Sequence, residues 1–331
     1  MGADFGDHFF MTRAMKLARN GWYTTQPNPR VGCVIVDPDG NIVGEGWHER
    51  VGEPHAEAQA LRAAGDRARG ATAYVTLEPC SHFGRTPPCA EALKAAGVAR
   101  VVAAVQDVNP EVSGRGMKIL KEAGIEIVTG VLEQEASALN EGFFMRMKTG
   151  RPLVRAKLAM SLDGRTAMAS GESQWITGPD ARGEVQKLRA GSCAIVTGVG
   201  SILADDSSLT LRASELPLPD ADVICQRQPL RVVLDSSLQT PPSAKVVTGP
   251  GHCLIVTATS GNNENRRLLE LAGAEILTLT GQDGKIDLQA LLLELGNRQC
   301  NEVLLETGAT LAGGMMAESL VDELVVFMAP V

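Results

Sequence analysis

His55, Cys80 and Cys89 offer one imidazole and two thiols, and Glu57 stands two residues beyond the histidine. Three ligands of borderline softness suit a zinc ion whose fourth position stays open. An open position holds a water, and the metal draws that water's pKa down towards neutrality. Glu57 can reach the water without ligating the metal, take its proton and hand it to a departing amine. Both His55 and Cys89 fall near expected helix starts, where the helix dipole favours a thiolate at Cys89. His-x-Glu followed by Pro-Cys and a second cysteine is the pattern of zinc nucleobase deaminases. The usual spacing between the cysteines is two residues, but here it is eight, Ser81 to Pro88. The longer loop can still return to the metal, and it adds His82 and Arg85 beside the site. His82 reads as a substrate or supporting residue, with metal ligation as the competing reading. A structural zinc is the alternative for the whole group. Cys33, in an apolar strand, reads as core, and His48, after Trp47, as structural.

The second half of the chain carries different chemistry. Thr307-Gly308-Ala309-Thr310-Leu311-Ala312-Gly313-Gly314 follows an expected strand, as does Gly198-Val199-Gly200-Ser201. Glycines between a strand and a helix let backbone N–H groups approach a phosphate. Neither segment is a G-x-G-x-x-G fingerprint or a Walker A loop. Each alone reads as an ordinary strand-to-helix turn, but two in one α/β domain point to nucleotide binding. Lys157, Ser173, Trp175, Arg189, Asp205 and Arg212 surround them in sequence. Arg189 and Arg212 could clamp a phosphate bidentately, with solvated surface arginine as the alternative.

The elements that must position these groups alternate between helix and strand, which predicts an α/β fold. Helices are expected at about 7–20, from Pro54, from Pro88 to Ala96, at 116–123 and at 133–144. Strands are expected at 31–36, from Ile42, at 73–77, 100–105 and 125–128. The stretch Arg146 to Pro152 divides a domain at 1–150 from one at 151–331. In the second domain strands are expected at 153–160, 193–197, 231–235, 252–257, 275–279, 302–306 and 323–328. Helices are expected at 179–190, 263–272, 287–296 and 310–319, with 213–229 as an irregular loop. The length of 331 residues fits two domains. A net charge of −8 and 4% aromatic residues disfavour a nucleic-acid partner. No apolar run reaches the roughly 18 residues of a membrane span, and no basic segment precedes an apolar one at the N-terminus. Seven thinly spread cysteines suit a reducing cytoplasm.

Three segments carry a family resemblance: Thr25-Gln26-Pro27-Asn28-Pro29-Arg30-Val31-Gly32, His55-Ala56-Glu57, and Glu78-Pro79-Cys80 through Pro87-Pro88-Cys89. They closely resemble the bifunctional riboflavin-biosynthesis deaminase–reductase family, which has the eight-residue spacing, and the resemblance spans essentially the whole chain. It implies a cytidine-deaminase-like three-layer domain followed by a dihydrofolate-reductase-like domain. The implied first substrate is 2,5-diamino-6-(5-phosphoribosylamino)pyrimidin-4(3H)-one, whose C2 amino group is replaced by oxygen with release of ammonia. His55, Cys80 and Cys89 would bind zinc, Glu57 would shuttle the proton, and Asn28 would lie near the pyrimidine. The second domain would use NADPH to reduce the ribosyl group to ribityl. By resemblance, Ala159, Trp175, Ser201, Asp205, Ser236 and Gly308 to Gly314 touch the cofactor. Ser173, Arg189, Leu209, Arg212 and Glu306 would touch the substrate. The reductase proton donor is left unassigned.

Two rival readings remain at the level of sequence: a nucleoside or tRNA deaminase with an accessory binding domain, and a zinc-stabilised scaffold. The family's reductase continues past this chain's last strand into an antiparallel edge hairpin. The strand around Leu324 to Phe327 is therefore expected to lack a neighbour, and reduction to be weak unless a partner chain covers the edge. A homo-oligomer is expected on those terms.

Overall fold

The computed structural model describes residues 5–81, 88–109, 113–166, 178–260 and 264–329. Its packing divides the chain into two compact units, Met1–Thr149 and Gly150–Val331. The first unit is built on strands β1 (Gly32–Val36), β2 (Ile42–Trp47), β3 (Thr72–Val75), β4 (Arg100–Ala103) and β5 (Glu126–Thr129). They lie in the order β2-β1-β3-β4-β5. β1 is antiparallel to both β2 and β3, and β3, β4 and β5 run parallel. Helices cover both faces, so alternate residues of one strand serve two cores. Val34, Val36 and Tyr74 join one with Met11 and Phe143, while Cys33, Ile35 and Val75 join the other with Ala60 and Leu93.

One close approach sets the position of the first site. The helix Ala56–Ala64 lies on β2 through small residues spaced four apart, Ala56, Ala60 and Ala64, all buried. A Cβ at Gly44 or Gly46 of β2 would sit 2.2 Å from the Ala60 carbonyl or 2.4 Å from that of Ala56. Only glycine lets helix and strand backbones touch there. The contact carries the helix N-terminus, with His55 as its cap, to one end of the sheet.

The expected single helix over 133–144 is two, Glu133–Ala138 and Glu141–Thr149. Arg30 causes the break. Its side chain donates to the Leu139 carbonyl at 2.8 Å, and its backbone N–H and C=O bond both ends of the Asn140 carboxamide. Arg30 thus binds the chain at the junction of the two helices.

The second unit has seven strands: β6 (Leu153–Ser161), β7 (Ala194–Gly198), β8 (Leu230–Leu234), β9 (Cys253–Thr257), β10 (Glu275–Thr278), β11 (Glu302–Leu305) and β12 (Glu323–Ala329). Their order is β10-β9-β8-β7-β11-β6-β12, and every pairing among them is parallel. The strand expected to lack a neighbour, β12, has one: it pairs with β6 from Glu323↔Arg155 to Ala329↔Ser161, and as the last strand of the sheet it presents Leu324, Val326 and Met328 at the surface. The segment expected as irregular loop, 213–229, holds a 3-10 turn, Ala213–Glu215, and one helical turn, Ala221–Ile224.

In the first unit the opening helix, Phe5–Ala18, is tied to the sheet by a charged clamp. Arg100 on β4 donates to both oxygens of the nearly buried Asp7, at 2.6 and 2.9 Å, and Tyr74 donates to one of them at 3.0 Å. Removing one partner of such a pair leaves the other desolvated and alone. Asp7→Asn is expected to cost about 2 kcal/mol of stability, read as a lower urea midpoint. An unchanged midpoint would show that the clamp contributes nothing.

Candidate active sites

His55 caps the helix Ala56–Ala64, Glu57 lies in its first turn, Cys80 follows β3, and Cys89 opens the helix Cys89–Ala96. The structure brings all four together. His55 Nδ1 lies 3.6 Å from Cys80 Sγ and 3.3 Å from Cys89 Sγ. One ligand atom from each of the three residues falls within 4.8 Å of the others. Zinc bonds of about 2.3 Å to sulfur and about 2.0–2.1 Å to nitrogen place tetrahedral S and N ligands about 3.5 Å apart, so the donor set fits zinc without rearrangement.

The electrostatics point the same way. Hydrogen bonding from Cys89 and His55 holds the Cys80 thiol down to about 4, while the shared proton and burial push Cys89 well up. Without a cation the two sulfurs cannot both ionise. The sequence reading gave the benefit of the helix N-terminus to the Cys89 thiolate. The structure gives it to Cys80, whose Sγ accepts the Cys89 N–H at 3.3 Å and whose carbonyl accepts that of Ala90 at 3.1 Å. Burial, then the Cys80 charge, raises the Glu57 carboxyl to about 7, with His55 pulling the other way.

Asn28 and His48 complete this cluster. His48 Nδ1 lies 3.3 Å from the Pro54 carbonyl, an acceptor only, so that nitrogen carries the proton. Nε2 is then free to accept from Asn28 Nδ2 at 3.1 Å. This turns the Asn28 carbonyl oxygen away from His48. The two imidazoles of His48 and His55 stand edge to face, 5.3 Å between centroids. His48 is nearly inaccessible and its pKa is lowered chiefly by burial, which keeps it neutral. The sequence reading took it as structural. Its burial and its bonds to Pro54 and Asn28 agree with that, and they set its ring beside His55. His82 lies outside the described residues.

In the second unit the two glycine-containing segments meet at the carboxyl ends of neighbouring parallel strands. β7 pairs with β11, and the Gly198 N–H donates to Thr307 Oγ1 at 3.2 Å. This is the end of a parallel sheet where ligands bind. The segment 308–314 is less of a loop than its glycines suggest. Gly308 caps the helix Ala309–Ala317, so Ala309, Thr310, Leu311, Ala312, Gly313 and Gly314 form its first turns. No side chain caps that N-terminus, and a Cβ at Gly200, Gly308 or Gly313 would meet nothing within 4 Å. Open space beside uncapped N–H groups fits the phosphates of a dinucleotide. Ser201 and the exposed Asp205 lie on the helix Val199–Asp205, Ser236 just past β8, and Ala159 near the end of β6.

Glu306, one residue past β11, is the hub of the nearby polar groups. Arg189 grips both its oxygens at 2.6 and 3.0 Å and donates to the Thr210 carbonyl, and Lys157 Nζ stands 3.9 Å away. Arg189 therefore holds a carboxylate here rather than standing ready as a phosphate fork. Arg189, followed by Lys157, keeps Glu306 below the usual carboxylate range against its burial. Arg212 is half exposed and paired with Glu215 at 2.7 Å, and Leu209 is buried beside Thr210. Ser173 and Trp175 lie outside the described residues.

A metal-ligand trio beside a buried carboxylate, followed by a separate parallel-sheet unit, defines a two-domain α/β enzyme with a zinc-deaminase site in its first unit. Residues 6–105 match the cytidine and deoxycytidylate deaminase zinc-binding region, and residues 152–331 match the RibD C-terminal domain. The chain belongs to the RibD family of bifunctional riboflavin-biosynthesis enzymes, with a zinc-dependent hydrolase and an NADPH-dependent oxidoreductase in one polypeptide. Riboflavin biosynthesis protein RibD of Escherichia coli (strain K12) is 52% identical over 327 residues, 98% of this chain and 88% of that one. Its Haemophilus influenzae counterpart is 48% identical, covering 98% and 86%. The solved structure of Acinetobacter baumannii RibD, form 1, aligns with a TM-score of 0.89 at 47% identity, covering 98% of this chain and 87% of that one. The reductase match leaves the reading of the second half as an accessory binding module for a tRNA deaminase without support.

The raised Glu57 pKa has a consequence for metal-free protein. Its folded value, about 7, lies above an ordinary value of 4.5, so the fold favours the protonated form. That contribution is complete below about pH 4.5 and is lost as pH rises through about 7. Chelator-stripped Glu57→Gln should therefore gain on the parent chain by up to about 3 kcal/mol between pH 5 and pH 7.5. Urea titrations at both pH values check it. Parallel pH dependences in the two proteins would contradict the buried charge.

Proposed function

We propose that the two units carry out consecutive steps on one phosphoribosyl pyrimidine, with roles divided among the residues above. The Thermotoga maritima relative, 33% identical with a TM-score of 0.83 over 98% of this chain and 86% of that one, is described as a diaminohydroxyphosphoribosylaminopyrimidine deaminase and 5-amino-6-(5-phosphoribosylamino)uracil reductase. The same pair of reactions is the reading for this chain. The observation that carries it is the convergence of His55, Cys80 and Cys89 beside buried Glu57.

In the first unit, His55 Nδ1, Cys80 Sγ and Cys89 Sγ hold zinc. When bound, the ion acidifies a water and polarises the reacting carbon. The Glu57 carboxylate accepts a proton from the attacking water and delivers it to the departing amino nitrogen, so ammonia leaves neutral. A carboxylate can do both, accepting the proton in one step and giving it up in the next. Asn28, held by His48, offers its carbonyl oxygen to an N–H of the pyrimidine, and His82 contributes from the loop between the cysteines.

In the second unit, Ala159, Trp175, Ser201, Asp205, Ser236 and 308–314 hold NADPH, which supplies the hydride that reduces C1 of the ribosyl group. Ser173, Arg189, Leu209, Arg212 and Glu306 hold the substrate, with Glu306 fixed in its ionised form by Arg189 and Lys157. The domains are assigned as 1–150 and 151–331. None of the seven cysteines is held in a disulfide, which supports a reducing compartment, the cytoplasm. No helix among the described residues is long and apolar enough to cross a membrane. Assembly of copies into a homo-oligomer is part of the same reading, with the exposed apolar side chains of β12 as its support.

Separate assays of the two half-reactions test these roles. Glu57→Gln should keep its zinc and lose about 10²–10⁴-fold in deamination with reduction unchanged. Cys89→Ser should lose stoichiometric zinc and deamination together. Full deaminase turnover in either variant would remove that residue from the mechanism. Gly313→Leu fills open space beside the cofactor segment and should weaken NADPH at least about tenfold, a loss of about 1.4 kcal/mol, in a fluorescence titration. Unchanged NADPH affinity would move the cofactor off 308–314.

A further inference from the structure

Glu78 is buried, two residues before Cys80, and takes no direct part in the chemistry assigned above. Its carboxylate accepts four backbone N–H groups. Oε2 takes those of Asp107 at 3.2 Å and Gly114 at 2.9 Å, and Oε1 those of Gly116 at 3.0 Å and Met117 at 3.4 Å. Among the described residues no basic side chain pairs with it. A buried carboxylate compensated by backbone donors alone is fixed in direction, because every acceptor site is spoken for by a rigid group. Gly116 and Met117 begin the helix Arg115–Glu122, so the carboxylate also meets the positive end of that helix.

The same helix touches the next residue along. A Cβ at Gly116 would lie 1.9 Å from the Pro79 carbonyl oxygen, so the helix backbone rests directly on the Pro79 peptide. On its other side Cys80 is held by the N-terminus of Cys89–Ala96, through its carbonyl and its sulfur. Cys80 is thus clamped between two helix starts, one acting on it directly and one through Glu78 and Pro79. A neutral serine or asparagine would cap a helix adequately. A carboxylate using both oxygens ties Asp107, Gly114 and the helix to the ligand loop at once.

We propose that Glu78 is a positioning residue for the metal centre, setting the direction of the Cys80 sulfur through the Pro79 peptide. The proposal rests on the zinc reading of His55, Cys80 and Cys89. Cobalt(II) substituted into the full-length chain reads ligand geometry through its sulfur charge-transfer and ligand-field absorption bands. Glu78→Gln replaces one acceptor oxygen with an N–H₂ group facing backbone N–H donors. It should shift those bands, weaken zinc by about 10–100-fold in a chelator competition, and lower deaminase kcat in the same range. The KM for the pyrimidine should move less than about twofold, and the reductase should be unaffected. Asp7→Asn, which loosens the same unit away from the ligands, should leave the cobalt bands where they are.

Unshifted bands with zinc affinity within about twofold of the parent in folded Glu78→Gln would overturn the proposal. So would the same band shift in Asp7→Asn, since that would mark a general loss of stability. If Glu78→Gln does not fold, Gly116→Ala moves the Pro79 peptide from the opposite side and must shift the same bands; unshifted bands there are equally decisive against it. A parent chain that takes up no stoichiometric cobalt or zinc would bring down the zinc reading itself, a result distinct from either of these.

Discussion

The first N–H groups of a helix have no partner within the helix and must find one outside it. The deaminase unit meets that requirement with the atoms that do its chemistry or hold them in place. The Cys89–Ala96 start binds Cys80, and the Arg115–Glu122 start binds Glu78. His55 occupies the N-cap position of Ala56–Ala64, with its ring turned to the two sulfurs and not to the helix N–H groups. Three helix starts gathered at one end of a five-stranded sheet make a centre in which negative sulfur and carboxylate are stabilised before any metal arrives. In the reductase unit the start of Ala309–Ala317 has no side-chain cap and faces open space.

Burial sharpens each of these interactions. Glu57 is pushed up to about 7 because the helix that carries it lies hard against β2, and the glycines of β2 permit that contact. A carboxyl at that depth gives and takes a proton with little change in free energy, at the cost of stability in the metal-free fold. Glu306 shows the opposite outcome for an equally buried carboxylate. Arg189 and Lys157 beside it win over burial and keep it charged. In metal-free protein the two buried carboxylates are thus tuned in opposite senses, Glu306 by Arg189 and Lys157 and Glu57 by burial and the Cys80 charge.

The parallel sheet of the second unit explains why residues far apart in sequence share a site. Every strand of that sheet runs the same way, so each strand-to-helix connection after β6, β7, β8 and β11 opens at one edge. Glu306 and Ser236 lie just past β11 and β8, and Gly308 caps the helix that follows β11. The Gly198–Thr307 hydrogen bond stitches two of the connections together.

The sequence by itself determined the ligand types, their order and their placement near helix starts. His55, Glu57, Cys80 and Cys89 are each defined by local pattern, and strand and helix alternation follows from local periodicity. It also marked, by their glycines, the two segments that meet past β7 and β11. What it could not contain were contacts set by distance in space. Arg30 splits a helix 110 residues away by capturing Leu139 and Asn140. Arg189 finds Glu306 across 117 residues. His48 gains its partners only when β2 ends beside the turn before His55. Glu78 could be read as part of a motif, but its four donors come from a segment whose position the sheet register decides. Local pattern records which atoms a residue offers. Which atoms receive them is fixed by the packing of elements whose spacing no short stretch of chain encodes.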